Sequence, residues 1–316
     1  MLIKSKKVLV TGSSGYVASD LIPRLKNKAR VSGIDYSPSE YTDINVSIAD
    51  RKLNSYLTNI RGEEIYIVNL AAARFDFGAT AKEYFRLNVE HHAKFLESLE
   101  VFQIKRFIHI SSVASLEGRA IPYSEALECD DAYRSTKYLQ EQLIQNWCAS
   151  KGVELSIVYP SAIFSRDPRS DTNIGKLQSI SKLLPFIPSI DVIKSLTYLP
   201  NLSRFIIDLV EDEIPAGKYL TIEKPSLTVS RMIQIISGRP ILFLHIPYIQ
   251  VMMKTAAYIL YVLGGLGKID MKLTPNRVVK LFSDTSYSHI NYEDIDTITY
   301  ADQDSRQLPE ILLNFN

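Results

Sequence analysis

Cysteine and tryptophan are scarce in this 316-residue chain, with two of the former and one of the latter. Cys129 and Cys148 show neither a paired nor a metal-ligand spacing, which excludes a disulfide framework and points to a reducing compartment, so a cytoplasmic location is expected. A surplus of either charge is also missing. With 36 basic and 35 acidic side chains the net charge is +1, which leaves no global attraction toward nucleic acid or anionic lipid. The N-terminal MLIKSKKVLVTG reaches strand-like sequence within a few residues, with no room for a signal peptide, which argues against export. The longest apolar stretch, Ile249 to Gly267, is interrupted by Gln250 and Lys254 and carries three glycines near its end. It reads as a buried or interface helix, and no transmembrane span is expected. Histidine offers no metal site: His91 and His92 are adjacent on a helix and cannot face one ion together, and His109, His245 and His289 are isolated. Internal repeats, low-complexity tracts and flexible linkers are absent as well.

What is present is an alternation. Short β-rich runs at Lys7 to Thr11, Arg30 to Asp35, Ile65 to Leu70, Arg106 to Ser111 and Glu154 to Tyr159 are separated by helical patterns at Lys52 to Asn59, Ala81 to Glu100 and Tyr133 to Ser150. The composition, 46% apolar and 22% charged, supports a folded core of this size. The alternation predicts an α/β fold with a doubly wound parallel sheet, and ligands in such sheets sit outside the carboxyl ends of the strands. After Pro160 the pattern loosens, with prolines at 168, 185, 188, 200, 215, 225, 240, 247 and 275. We expect a dinucleotide-binding domain over 1–160, with 194–222 returning to it. A smaller, interleaved substrate-binding domain would take 161–193 and 223–316, the tail from Asp284 covering it.

Between the first strand and the first helix lies Gly12-Ser13-Ser14-Gly15-Tyr16-Val17. A glycine turn there presents backbone N–H groups and a helix N-terminus to a pyrophosphate. Ala18 stands where a third glycine is usual, a position concerned with helix-to-strand packing. Asp35 ends the second strand about 20 residues later, where a carboxylate accepts hydrogen bonds from ribose hydroxyls. No arginine follows it to hold a 2′-phosphate, so NAD is favoured over NADP.

Tyr133 and Lys137 fall four apart on a predicted helix and therefore on one face. A phenol with a pKa near 10 is a poor base at neutral pH, and a cation beside it favours the phenolate. Ser112 follows a predicted strand some 20 residues upstream and completes a Ser, Tyr, Lys set able to bind one substrate oxygen.

The segments VTGSSGYVA, Asp35, NLAAA at 69 to 73, Asn88 in RLNVEHH, ISSVASLEG, YRSTKYLQEQL and YPSAIF at 159 to 164 together resemble the extended short-chain dehydrogenase/reductase family, in its nucleotide-sugar epimerase and 4-keto-reductase branch. The resemblance covers most of the chain. It implies that Gly12 to Val17 hold the pyrophosphate and Asp35 the adenosine ribose. Leu70, Ala71, Ala72 and Ala73 would line the middle of the cofactor, and Pro160 the nicotinamide. Tyr133 would exchange the proton, Ser112 orient the oxygen and Lys137 hold the nicotinamide ribose. Asn88 resembles a structural asparagine that braces the strand before the site. The chain departs from the pattern at Ser47, where relatives carry an adenine-binding aspartate, at Asn69, where histidine is common, and in the loop SVASLEG, one residue longer than the usual serine-to-glycine spacing, so that Ser111 competes with Ser112 as the catalytic serine and Ser112 is preferred.

The family's dehydratases carry an Asp-Glu pair after the serine or threonine, and Val113 and Ala114 stand there instead, which disfavours elimination of water. An NAD(P)-dependent epimerase or keto-sugar reductase is therefore the leading reading. Runs at 194 to 206 and from Tyr219 onward resemble enzymes acting on UDP-linked sugars, so a UDP-sugar is the favoured substrate. A reductase of a steroid-like or flavonoid-like ketone is the alternative enzyme. A non-catalytic dinucleotide-sensing regulator is the alternative outside enzymes, though such relatives typically lack the tyrosine and lysine. The resemblance also implies a homodimer formed through the helices at 81 to 100 and 133 to 150.

Overall fold

The structure, a computed structural model, describes residues 6–58, 64–73, 80–118, 129–165, 168–170, 172–183, 186–224, 226–237, 241–266, 275–287 and 294–298. Contacts divide the chain into two compact units, the first made of 1–163, 197–221 and 291–298 and the second of 164–196, 222–290 and 299–316.

The first unit is built on one sheet. Its leading strands are β1 (Lys7–Thr11), β2 (Arg30–Asp35), β3 (Ile44–Asn45), β4 (Glu64–Asn69), β5 (Gln103–Ile110) and β6 (Glu154–Pro160). With Lys218–Thr221 and Asp296–Ile298 they form eight strands in the order 296–298, 218–221, β6, β5, β4, β1, β2, β3, and every pairing is parallel. The expected doubly wound sheet is thus present. Strand order reverses between β1 and β4, which fixes the crevice beyond their carboxyl ends as the ligand site of such a fold. Runs such as Val8-Leu9-Val10 and Ile65-Tyr66-Ile67-Val68 are buried throughout, because helices cover both faces of a parallel sheet.

On one face, Leu9, Ile65, Ile67 and Phe107 from the strands meet Leu53, Phe95, Leu99, Ile144 and Cys148 from the helices. Those helices are α2 (Leu53–Leu57), α4 (His91–Ser98, with Leu99 at its C-cap) and α6 (Cys129–Lys151), and α4 is joined to α3 (Ala81–Phe85) by a π-helical turn over Arg86–Glu90. On the other face, α1 (Tyr16–Leu25) packs against the helix Leu199–Val210. Midway along β5, Arg106 is 5% exposed. It donates to Glu154 Oε2 at 2.7 Å and to the carbonyls of Leu209 and Ile214 at 2.9 Å each. A buried guanidinium needs such a set of acceptors to offset its lost hydration.

Three features correct or narrow the sequence reading. The segment Val113–Gly118, read as a loop, is a helix, α5. Its Gly118 sits so close to α6 that a Cβ there would lie 2.2 Å from the Arg134 carbonyl oxygen. Part of the tail lies in the first unit, because Asp296–Ile298 pairs with Lys218–Thr221 as the edge strand of the large sheet. The apolar stretch after Ile249 is the expected helix, over Ile249–Leu266, and of the two readings, buried or interface, its first turns exclude the buried one. Val251, Met252, Tyr258 and Ile259 are exposed while Ala257 is buried. Among the described residues no helix is long and apolar enough to cross a membrane.

The second unit contains the helices Asn173–Leu183, Val229–Ser237, Ile249–Leu266 and Pro275–Phe282 and the strand pairs Phe186–Pro188 with Leu242–Leu244 and Ile193–Lys194 with Leu227–Thr228. Its core gathers Ile187, Ile190, Val229, Ile233 and Ile241.

Candidate active site

The glycine turn is built by two close approaches. Gly12 has φ +72°, and a Cβ on it would stand 2.9 Å from both the Leu70 carbonyl carbon and the Ala71 nitrogen. Only glycine lets the end of β1 lie against the backbone leaving β4. Gly15 follows with its N–H donated to Gly12 O at 3.0 Å, and it forms the N-terminus of α1 with no side chain capping it. Ala18 is fully buried on the sheet side of that helix, a position where a methyl group fits.

Ser13 and Ser14 part ways. Ser13 is buried, with its hydroxyl 2.9 Å from Thr42 Oγ1 and its N–H directed to Ile34 O at 3.3 Å. Ser14 is half-buried and donates from both backbone and hydroxyl to Asp35 Oδ2, at 3.1 and 2.9 Å. The other oxygen of Asp35 accepts the Ser37 N–H at 2.9 Å. The carboxylate therefore stands at the carboxyl end of β2 beside the turn. Oδ2 is thus filled by the two Ser14 donors, while Oδ1, with one donor, keeps a second lone pair for a further donor such as a ribose hydroxyl.

The backbone track from Leu70 to Ala73 is held from three sides. Thr11 Oγ1 accepts the Ala71 N–H at 3.3 Å. Gln140 Nε2 donates to Ala71 O at 3.2 Å. Asn88 receives the Ala73 N–H at 2.7 Å and donates to Ala73 O at 3.3 Å and to Thr136 Oγ1 at 3.2 Å. Asn88 thus braces the segment after β4 against α6. Asn69 is fully buried, accepting from Thr11 Oγ1 at 2.6 Å and facing His109 Nδ1 at 3.1 Å. This is polar packing between β1, β4 and β5 that replaces the common histidine. Ser47 receives the Ala49 N–H at 3.2 Å and so closes a local turn.

The two serines after β5 are distinguished by their surroundings. Ser111 is buried, its hydroxyl 3.0 Å from Ser115 Oγ and 3.3 Å from Glu141 Oε2, either of which can take its one proton. Ser112 is half-buried at the start of α5, and its oxygen accepts the Ala114 N–H at 3.2 Å. That bond turns the Ser112 oxygen toward the helix N-terminus and leaves its O–H proton to donate elsewhere. Tyr133 is half-buried on α6, its ring edge-on to Tyr84 with centroids 6.0 Å apart.

Lys137, one turn on, is 1% exposed. Its Nζ donates to Gln140 Oε1 at 2.7 Å and to Ile110 O at 3.3 Å. Since Ile110 ends β5 two residues before Ser112, this contact joins the lysine to the strand that carries the serine. Burial pushes the Lys137 ammonium down to about 7, the nearby Glu141 carboxylate partly opposing it. His92 and His109 are held neutral, His92 at about 3 and His109 well below its ordinary value, by burial first and by the Lys137 charge second. Glu141 is 1% exposed and accepts from Ser111, from Ser115 at 3.1 Å and from Tyr159 Oη at 2.7 Å. Pro160 closes β6 as a buried residue. After it, Ser161 Oγ lies 2.9 Å from Thr197 Oγ1, which donates to Thr221 O at 2.6 Å.

The structure therefore gathers one group, Ser112, Lys137 and Ala71 to Ala73, around the junction of β4, β5 and α6, and a second, Gly12 to Val17 with Asp35, around β1 and β2. Gln140, Glu141 and His92 were not singled out by sequence. For Gln140 and Glu141 the signal was polar residues on the helix face that should be buried, three and four positions after Lys137; for His92 it was a histidine four residues after Asn88.

A parallel sheet with strand order reversing between β1 and β4, a glycine turn and a carboxylate at the end of β2 define a dinucleotide-binding α/β protein. The sequence model of the NAD dependent epimerase/dehydratase family matches residues 8–183, more than half of the chain, and the chain belongs to that family. It is an enzyme of the extended short-chain dehydrogenase/reductase type, and NAD is the cofactor of the family. No curated protein matches its sequence. Among solved structures it resembles the UDP-glucuronic acid 4-epimerase of Bacillus cereus in complex with NAD, with a TM-score of 0.61 and 21% identity over 76% of this chain and 87% of that one. The UDP-N-acetylglucosamine 4-epimerase of Methanobrevibacter ruminantium M1 in complex with UDP-N-acetylmuramic acid gives 0.62 and 21% over 78% and 87%. The epimerase Mth375 of Methanothermobacter thermautotrophicus gives 0.61 and 16% over 90% and 89%. At these identities the likeness is one of fold.

Proposed function

We propose that the chain is an NAD-dependent nucleotide-sugar epimerase or keto-sugar reductase, with a UDP-sugar as substrate and Ser112, Tyr133 and Lys137 as catalytic residues. The observation that carries this reading is Lys137, buried on the face of α6 that also bears Tyr133 and tied to the carbonyl just before Ser112. NAD would supply a hydride acceptor and donor at the nicotinamide. Tyr133 would take the proton from a sugar hydroxyl, or return it to a ketone, while Ser112 donates to the same oxygen and fixes its direction. Lys137 would use its remaining N–H toward the nicotinamide ribose and keep a positive charge beside the reacting oxygen. Asp35 would receive the adenosine ribose, the N–H groups of Gly12 to Val17 the pyrophosphate, and Leu70 to Ala73 with Pro160 the rest of the dinucleotide. Dehydration is disfavoured because Val113 and Ala114 supply no acid or base. The second unit would bind the sugar nucleotide, and α3, α4 and α6 would form a homodimer in the cytoplasm.

The test is to release any nucleotide that stays with the purified protein and identify it by chromatography, with NADH and NADPH titrations beside it. Incubation with UDP-glucose, UDP-N-acetylglucosamine and UDP-glucuronic acid then reports product sugars. Retained NAD with conversion between C4 epimers supports the epimerase. Exchangeable NADH with consumption of a keto-sugar supports the reductase, turnover of a steroid-like or flavonoid-like ketone alone overturns the sugar assignment, and no binding of either dinucleotide overturns the whole reading.

A further inference from the structure

Lys137 is followed one helical turn later by Gln140, which is fully buried and whose amide is locked on both sides. Its Nε2 lies 3.2 Å from Ala71 O and 2.7 Å from His92 Nε2. A carbonyl oxygen only accepts, so the amide nitrogen must face Ala71, and Oε1 must then face the other way. His92, buried and neutral, offers a ring lone pair to the same amide nitrogen when its proton is on Nδ1. The acceptor end of Gln140 is in consequence aimed at Lys137 Nζ, 2.7 Å away.

We propose that Gln140, oriented by His92 and the Ala71 carbonyl, is a positioning residue that holds the Lys137 ammonium against the carbonyl end of β5 and keeps it charged. The catalytic meaning of this role rests on the function proposed above. A cation in a dry site is kept by the acceptors around it. Lys137 has two described acceptors, Gln140 Oε1 and Ile110 O, and Ile110 O at 3.3 Å is the longer contact. The ionisable groups facing it are Tyr133 and Glu141 on its own helix, His92 on α4 and His109 on β5. Both histidines are neutral, and the Glu141 carboxylate is shared among Ser111, Ser115 and Tyr159. Gln140 therefore supplies the shortest contact to the ammonium. Because the same amide grips Ala71 O, it also couples the lysine to the Leu70 to Ala73 track along which the cofactor would run.

The experiment reads Lys137 itself. In cofactor-free protein labelled with [ε-13C]lysine, the Lys137 signal is assigned by its loss in Lys137→Met and followed with pH. Gln140→Leu is expected to lower the Lys137 midpoint by about one pH unit, a roughly tenfold change in its acid constant and the size of one charge-assisted hydrogen bond. Gln140→Glu is expected to raise it above wild type. His92→Phe, which leaves Gln140 free to turn, is expected to reproduce part of the fall, and it carries the test if Gln140→Leu does not fold. Where turnover is measured, the alkaline limb of the kcat/KM profile moves in the same directions. A Lys137 midpoint unmoved in folded Gln140→Leu and Gln140→Glu overturns the proposal. NADH titration of the wild type is run beside it. NADH bound with an unmoved midpoint overturns the positioning role alone, whereas a moved midpoint without NADH binding supports the role and overturns the proposed function.

Discussion

Replacing Lys137 by methionine should abolish turnover and, as pH falls, make the fold progressively more stable relative to wild type. Methionine keeps the unbranched stem as far as the ε position and removes the charge. In the unfolded chain the lysine titrates at 10.5, in the folded protein at about 7. Above pH 10.5 it is neutral in both states and costs nothing. Between 10.5 and 7 the unfolded chain binds a proton that the folded one refuses, so wild type loses about 1.4 kcal/mol for each pH unit of acidification. Below pH 7 the lysine is charged in both states, and the accumulated cost levels off at about 5 kcal/mol. The lost hydrogen bonds to Ile110 O and Gln140 Oε1 subtract an amount of about 1–3 kcal/mol each that does not vary with pH. The diagnostic quantity is therefore the slope. From pH 7 to 9.5, wild type should gain about 3 kcal/mol on Lys137→Met. Urea unfolding followed by Trp147, the single tryptophan of the chain and a residue of α6 packed edge-on against Phe107, reports the unit that carries the lysine. A wild-type minus variant difference that stays flat to within about 0.5 kcal/mol over that range would refute the reasoning.

Tyr133→Phe should lower kcat by about 10²- to 10⁴-fold while leaving the NADH dissociation constant in place, and an equal loss in both would remove the tyrosine from the proton-transfer role. Asp35→Ala should weaken NADH binding by roughly 10- to 100-fold, the value of one or two hydrogen bonds to a charged group, and should narrow the preference for NADH over NADPH, as measured by cofactor fluorescence. Gly118→Ala forces a methyl group into the α5 to α6 contact 2.2 Å from Arg134 O, and a loss of about 1–3 kcal/mol should follow. Its melting curve by circular dichroism should move down by about 2–4 °C for each kcal/mol lost; an unchanged curve would mean that the two helices can slide apart at no cost.

The sheet was legible because buried parallel strands are written as short runs of β-branched residues whose ends are marked by polar or small ones. β1 and β2 match their expected bounds, and β4 and β5 shift by one to three residues. The glycine turn was legible through Gly12, because positive φ at a strand end leaves few alternatives. Elements fixed by packing rather than by local pattern were not visible. α5 lacks a sequence long enough to show helical spacing, and it is held by the fit of Gly118 onto α6. The strand Asp296–Ile298 has three residues and is defined by its neighbour Lys218–Thr221. In the site, Tyr133 and Lys137 announce themselves by spacing. Gln140 and Glu141 do not, since polar residues on a helix ordinarily face water, and only the buried surface around Lys137 shows that these two face inward.

The π turn at Arg86–Glu90 acts as a phase gauge for the site. Tyr84, Asn88 and His92 all reach α6 or its neighbourhood: Tyr84 against Tyr133, Asn88 at Thr136 and His92 at Gln140. They are spaced by four residues, whereas an uninterrupted α-helix repeats every 3.6, so their directions would drift by about 40° at each step and 80° across the set. The wider turn takes up that surplus and keeps three consecutive contacts in line. A helix one residue shorter there would still be a helix, and it would still cover the sheet. It would point its asparagine away from Ala73 and its histidine away from Gln140, so the segment after β4 and the lysine of α6 would lose their alignment in a single step.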